Sequence, residues 1–251
     1  MFTSTISSWN SKALLLGILF LLPRMVWAQS PADAFTNALT QHGGAAVDAV
    51  SALQITGTST DSNGTSALTI TAEFDGRIRF DYGQPVTRSL VQTSQGQFVL
   101  HGTRVEPKQA FVGVFGAVDM LSIFGLRRLE TESPTWIDGG TAVDAAGHTV
   151  FVRNVSTGQQ QRHYGRLLTD QFQIAFDAQS GLVSSVTRQQ YSDNSLDVVF
   201  PVTYRFSDYR TFQNIVFPYR IDKYVFGRLA ETIVVTGLQL NPAVSTATFE
   251  R

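Results

Sequence analysis

Cysteine is absent from all 251 residues, and histidine and methionine are scarce at four and three. Without cysteine there is no disulfide framework, no thiol nucleophile and no lipid-acceptor cysteine behind a leader. The histidines, His42, His101, His148 and His163, are scattered without the close spacing of a metal site, so no metal or other cofactor is expected. No Gly-x-Ser-x-Gly elbow occurs, which removes the usual serine-hydrolase turn. Two carboxylate pairs, Asp75 with Asp81 and Asp170 with Asp177, remain as catalytic candidates. Acidic residues at turns and strand ends are ordinarily solvated, and the chain does not read as an enzyme. Net charge is small as well, 19 basic residues against 20 acidic, which gives no electrostatic reason to expect nucleic acid as a partner.

The apolar run Ala13 to Leu22 falls short of the roughly 20 residues that a membrane span needs. It follows Lys12 and is closed by Pro23 and Val26-Trp27-Ala28. A basic start, a short apolar stretch and small residues before a cleavage point make residues 1–28 a secretory signal peptide. Its removal takes away Lys12 and Arg24, leaving 17 basic residues against 20 acidic and a net charge of −3. The expected mature chain, residues 29–251, reads as a single β-rich domain without repeat, low-complexity tract or linker, and a monomer is expected.

Eighteen phenylalanines favour a pleated core over a helical bundle. Ser30-Pro31-Ala32-Asp33 marks a helix start, Ala32, Phe35 and Leu39 recur at helical spacing, and Gly43-Gly44 ends the element. Then the period becomes two. Leu68, Ile70, Ala72 and Phe74 alternate with polar residues, Asp75-Gly76 makes a hairpin turn, and Ile78, Phe80 and Tyr82 resume the alternation. A strand from Arg88 to Thr93 leads through Gln95-Gly96 into Phe98-Val99-Leu100. Val118, Leu121, Ile123, Phe124 and Leu126 form a helical stripe within about residues 115–128. Later strands carry Val150 and Val152, then Phe172, Ile174 and Phe176, then Val183 to Gln190, then Val202, Tyr204 and Phe206, and finally Ile233 to Leu240. The Gln-rich stretch from Gly158 to Arg162 reads as a loop, and Pro218 as an edge or bulge position. The fold class is α+β: a large curved antiparallel sheet, an open half-barrel of about ten or eleven strands, with helices covering its concave face.

The motifs LTITAEFDGRIRFDY, LVQTSQGQFVLHG, AVDMLSIFGL and FQIAFDAQSGLVSSV, followed by YRFSDYRTFQNIVFPYRI, come in an order that resembles the LolA/LolB-like superfamily of periplasmic lipoprotein carriers. Phe176-Asp177 with Gly181-Leu182-Val183 matches a turn of that family, and Val216-Phe217-Pro218 a closing strand. The resemblance implies a periplasmic carrier whose hydrophobic cavity takes acyl chains of a lipid or lipoprotein, with an envelope protein as donor or acceptor. The expected cavity residues are Leu68, Ile70, Phe74, Ile78, Phe80, Phe98, Leu100, Met120, Leu121, Phe124, Phe172, Ile174, Phe176, Val202, Tyr204 and Phe206. Closing a half-barrel with helices would bury these residues with or without a guest. Arg77 with Arg79, Arg127 with Arg128, and Arg162 with His163 are exposed candidates for an acidic headgroup or partner. The carriers of that family have a basic residue followed by proline where this chain has Glu73-Phe74, a departure that separates it from their lipoprotein contact. The alternative is an envelope interaction or sensor module that uses the same half-barrel without transport.

Overall fold

The structure is a computed structural model that describes residues 31–93, 96–108, 122–163, 166–192 and 195–250. Residues 1–28, expected to be a signal peptide, and Met120 and Leu121 lie outside the described residues. Two helices come first, α1 (Pro31–His42) and α2 (Ala45–Asp48). Strands follow as β1 (Ala52–Asp61), β2 (Gly64–Glu73), β3 (Ile78–Tyr82), β4 (Arg88–Thr93), β5 (Gly96–His101) and β6 (Arg104–Lys108). After α3 (Ser122–Glu132) come β7 (Thr135–Val143), β8 (Thr149–His163), β9 (Arg166–Asp177), β10 (Val183–Ser192), β11 (Ser195–Phe212), β12 (Ile215–Val225) and β13 (Arg228–Leu240). A 3₁₀ turn over Thr246–Phe249 ends the description.

All thirteen strands form one antiparallel sheet in the order β6-β5-β4-β3-β2-β1-β13-β12-β11-β10-β9-β8-β7. It is a meander except at one seam, where β1 pairs with β13 and joins the two halves of the chain. Strands β6 and β7 are the two edges, so the sheet is not closed, and the chain crosses from one edge to the other through α3. The helices lie on the concave face: α1 touches α3, β12 and β7, and α2 touches α3.

Alternation selects that face. Ile55, Ile70, Phe80 and Leu90 stand opposite one another across β1 to β4, and Tyr204, Val186 and Ile174 across β11 to β9. Because directly opposed residues share a face, each row turns the same way. Both rows join Ala34 and Ala38 of α1 and Ile123, Phe124, Leu126 and Leu129 of α3 in one apolar cluster.

The seam depends on Gly57. The β1–β13 register shifts between Thr56 and Gly57, and a Cβ at this position would overlap the backbone carbonyl oxygen of Val234. Gly57→Ala is therefore expected to cost about 1–3 kcal/mol, as overpacking does in a tight site, which urea denaturation would measure.

Several sequence expectations change in detail. The strand count is thirteen, because β6 and β7 add edges that carry little apolar alternation. The described helix ends at Glu132, beyond the expected end at Arg128, and the expected start near residue 115 lies outside the described residues. The Asp75-Gly76 hairpin exists, but its loop is Phe74 to Arg77, closed by the Glu73 N–H donating to the Arg77 carbonyl, with Gly76 at φ 96°. The Gln-rich stretch is strand: Gln160, Gln161 and Arg162 pair with Thr169, Leu168 and Leu167 beyond a bulge that follows Ser156. Cross-strand pairing decides there, not side-chain polarity. The turn between β11 and β12 is Gln213-Asn214, at φ 48° and 66°, and Asp208 takes φ 52° inside β11 without shifting its register against β12. Pro218 faces Tyr209 of β11 and stands before β12 begins to pair with β13 at Arg220, so its missing N–H breaks no β12–β13 ladder bond.

Candidate functional site: the concave face and its open end

Among the described residues, the helices cover one end of the concave face. Strand β1 starts at Ala52 beneath them and ends at Asp61 away from them, as β3 does at Tyr82. At the covered end, the Arg127 side chain lies 4.0 Å from the Phe74 ring centre and donates to the Val50 carbonyl, which pins α3 to the segment leading into β1. Arg128 pairs with Glu132 at 3.0 Å, along α3 itself.

Of the residues expected to face a guest, Leu68, Ile70, Ile78, Phe80, Phe124, Phe172, Ile174, Phe176, Val202, Tyr204 and Phe206 all fall in the single apolar cluster, with Phe74 packed at its edge. Phe98 and Leu100 do not. Leu90 faces Val99, whereas Val91 faces Phe98 and Ser89 faces Leu100. Since Leu90 is on the Phe80 side, Phe98 and Leu100 stand on the convex face, where they pack with Val91 under Phe249 and Val244 of the C-terminal tail. Strands β4 and β5 are apolar on two faces because each face is covered. Periodicity alone could not say which one turns inward.

The concave wall is also less purely apolar than the alternation suggested. Arg188 lies with its guanidinium 4.4 Å from the centre of the Phe172 ring, and Arg153, 2% exposed, pairs with Asp138 at 2.7 Å. Opposed to Val202 and Ile174 respectively, these two arginines share the inner face of β10 and β8.

The arginines expected at the surface are largely engaged. Arg77 pairs with Glu73 at 2.6 Å and Asp75 at 2.7 Å. Arg79 pairs with Asp81 at 2.8 Å and donates to the Thr248 carbonyl at 3.0 Å, fastening the tail to the convex face. These contacts engage Asp75 and Asp81 as well. Asp177 accepts from the Gln179 and Ser180 N–H groups and shapes the β9–β10 turn. The side chains of Arg162, His163 and Asp170 lie outside the described residues. Among the described residues no group of three or more His, Asp or Glu side chains is placed to hold a metal ion.

Cavities open on the described surface. One of about 600 Å³ lies between the β7–β8 and β9–β10 turns and β11, lined by Asp144, His148, Leu182, Phe206 and Tyr209 among others. A second, about 400 Å³, runs over β7 to β10 beside Asn154, Gln173, Thr187 and the 61% exposed Ile137. The third, about 370 Å³, occupies the helix-free end of the concave face and is lined by Asp61, Tyr82, Arg88, Leu90, Val99, His101, Lys223, Ala230 and Glu231. Tyr82 and Leu90 are part of its wall and also pack on the main apolar cluster. This mouth is therefore the polar end of the apolar face. The sequence reading passed over it because Arg88, Lys223 and Glu231 look like ordinary solvated strand residues. The available signal was parity, since Arg88 lies two residues before Leu90 and opposite Tyr82.

Chains of this architecture are known. The outer membrane lipoprotein-sorting protein domain from Vibrio parahaemolyticus superposes with a TM-score of 0.54 at 12% identity, covering 88% of this chain and 97% of that one. A LolA superfamily protein from Nitrosomonas europaea gives 0.53 at 8% identity, over 89% and 99% of the two chains. The chain has the LolA fold. A DUF1329 family protein from Desulfovibrio piger shares the LolA-like fold too, at TM-score 0.55 and 10% identity over 88% of this chain and 98% of that one. No family model matches the chain, and no curated protein matches it by sequence. Among the described residues no helix of this LolA-like chain is long and apolar enough to cross a membrane.

Proposed function

We propose that this chain is a monomeric periplasmic carrier that holds acyl chains of a lipid or lipoprotein non-covalently on its concave face. The observation that carries the reading is the half-covered apolar face of a LolA-like sheet: helices close one end, and a cavity of about 370 Å³ opens at the other. Burying a methylene is worth ~0.8 kcal/mol. A chain of about ten carbons thus brings ~8 kcal/mol before the cost of lost freedom, so further methylenes or a headgroup contact must supply part of the net affinity. Leu90, Val99 and Tyr82 would meet the chain where it enters, and an envelope protein would deliver or accept it.

The test is titration with an environment-sensitive fluorescent fatty acid. Saturable one-site binding, reversed by unlabelled fatty acid, supports the carrier. Signal that never saturates, or that unlabelled ligand cannot displace, sinks it.

A second reading rests on a different observation. The helix-free end exposes Phe226 (63%), Leu229 (55%) and Val198 (50%), with Phe226 stacked on Phe200 at 5.3 Å. An apolar rim of this kind fits contact with a protein, so the same half-barrel could serve as an envelope interaction or sensor module. A stable complex with an envelope protein and no bound lipid would decide for it.

A further inference from the structure

We infer that the mouth of the concave face is an oxyanion site, which takes the phosphate or carboxylate headgroup of the acyl ligand between Arg88 and Lys223. The inference rests on the carrier reading and names the ligand class for that same face.

Strand pairing assembles the site from distant segments. Phe80 faces Leu90 and Leu90 faces Val99, so this row is inward; Tyr82 faces Arg88 one step further toward the open end. Across the seam Asp61 faces Glu231, which faces Lys223. The cavity is thus walled by charged residues of β1, β4, β12 and β13, with His101 of β5 beside them and Leu90 and Val99 as its apolar floor.

The two signs of charge are not equally committed. Glu231 accepts from the Ser59 hydroxyl at 2.6 Å and from the Tyr82 hydroxyl at 3.4 Å. Asp61 accepts from the Asn63 backbone N–H at 2.7 Å and from its side-chain amide at 3.4 Å. The Arg88 guanidinium lies over the Tyr82 ring, 4.3 Å from its centre, and among the described residues its N–H groups make no hydrogen bond. Neither Arg88 nor Lys223 makes an ion pair among the described residues. The acids hold each other's neighbours in place, and the bases remain to be used by a ligand. A guanidinium presents a fork that matches a carboxylate or phosphate, and an ammonium adds a second point of charge. Both side chains are half-buried, which strengthens the attraction relative to open water.

The ligand geometry follows. An acyl chain lying along the apolar face leaves its headgroup at the end without helices, where the oxyanion meets Arg88 and Lys223. An uncharged head gains nothing from them, and a cationic head is repelled.

The experiment compares dodecyl phosphate, dodecyl glucoside and dodecyltrimethylammonium at fixed ionic strength, with inorganic phosphate as a fourth ligand. Proteins are the wild type and the double variant Arg88→Gln with Lys223→Gln, both checked for an unchanged thermal midpoint. The expected order in the wild type is phosphate, then glucoside, then ammonium, with at least a tenfold gap between the first two. In the variant the gap closes, while glucoside affinity stays within twofold. Equal affinities in the wild type, or a phosphate preference that survives the double substitution, overturn the site and leave the carrier standing. Inorganic phosphate that binds the wild type alone, where no dodecyl ligand binds, keeps the oxyanion site and sinks the carrier. Absence of all binding sinks both.

Discussion

Leu90→Asp is expected to abolish acyl binding, and Leu100→Asp to leave it within twofold of wild type. The two leucines are half-buried, sit on paired strands and are chemically identical, but they face opposite sides of the sheet. Leu90 borders the mouth cavity and packs on the main cluster; Leu100 packs with Val91 and Phe98 beneath the C-terminal tail. A carboxylate at position 90 would take the place of apolar wall at the mouth, lose the methylene contacts there, and compete with the ligand's head for Arg88 and Lys223. The expected loss is a hundredfold or more in acyl affinity. Fluorescent fatty acid titration of the two variants, each shown to be folded by far-ultraviolet circular dichroism, makes the comparison. Equal losses in the two folded variants would mean that acyl binding does not depend on the concave face.

The second large effect is on stability in acid. His42 closes α1 and is fully buried, with Nδ1 donating to the Val216 carbonyl at 2.8 Å and Nε2 facing the Val183 N–H at 3.5 Å. Burial holds its pKa down at about 4, against the opposing pull of the Val216 carbonyl. Above about pH 6.5 the ring is neutral in the folded and the unfolded chain, and it contributes no pH dependence. Below that, the unfolded chain takes up a proton that the folded chain refuses, so stability falls until about pH 4 is reached. A separation of this size corresponds to about 3 kcal/mol. Protonation would also set a new N–H against the Val183 N–H, in the place where α1 is tied to β12 and β10. Urea denaturation at pH 7.5 and pH 4.5 should show His42→Asn losing about 2–3 kcal/mol less than wild type between the two. Parallel losses would show that His42 is not the group that titrates.

The apolar runs told much of this fold because their alternation survives in the structure. Leu68, Ile70, Ile78 and Phe80 turn inward as their period requires, and the order of strands and helices along the chain is that of the LolA-like architecture. What failed to show in the sequence depended on partners far away along the chain. Phe98 and Leu100 alternate as well as Phe80 does, yet they face outward, because Phe249 and Val244 supply a second small core more than a hundred residues later. The glutamines near residue 160 look like a loop until β9 offers them a ladder. The seam between β1 and β13 has no local signature beyond Gly57, whose lack of a side chain makes sense only beside Val234.

The candidate site divides in the same way. Its apolar half was legible, since a buried stripe announces itself by periodicity. Its polar half was not: Arg88, Lys223 and Glu231 come from three strands that only the folded sheet brings around one cavity. The arginine pairs that did stand out in the sequence, Arg77 with Arg79 and Arg127 with Arg128, turn out to hold turns, tail and helix in place.

The most direct test of an acyl ligand on the concave face is to weigh the protein with and without its fold. The chain is expressed into a periplasm, purified without detergent, and measured by native and then denaturing mass spectrometry. The account predicts a reproducible extra mass in the native spectrum that disappears on denaturation and fragments as an acyl lipid with a phosphate or carboxylate head. A protein of bare mass in the two spectra, still bare after incubation with fatty acids and lipoproteins, would contradict it.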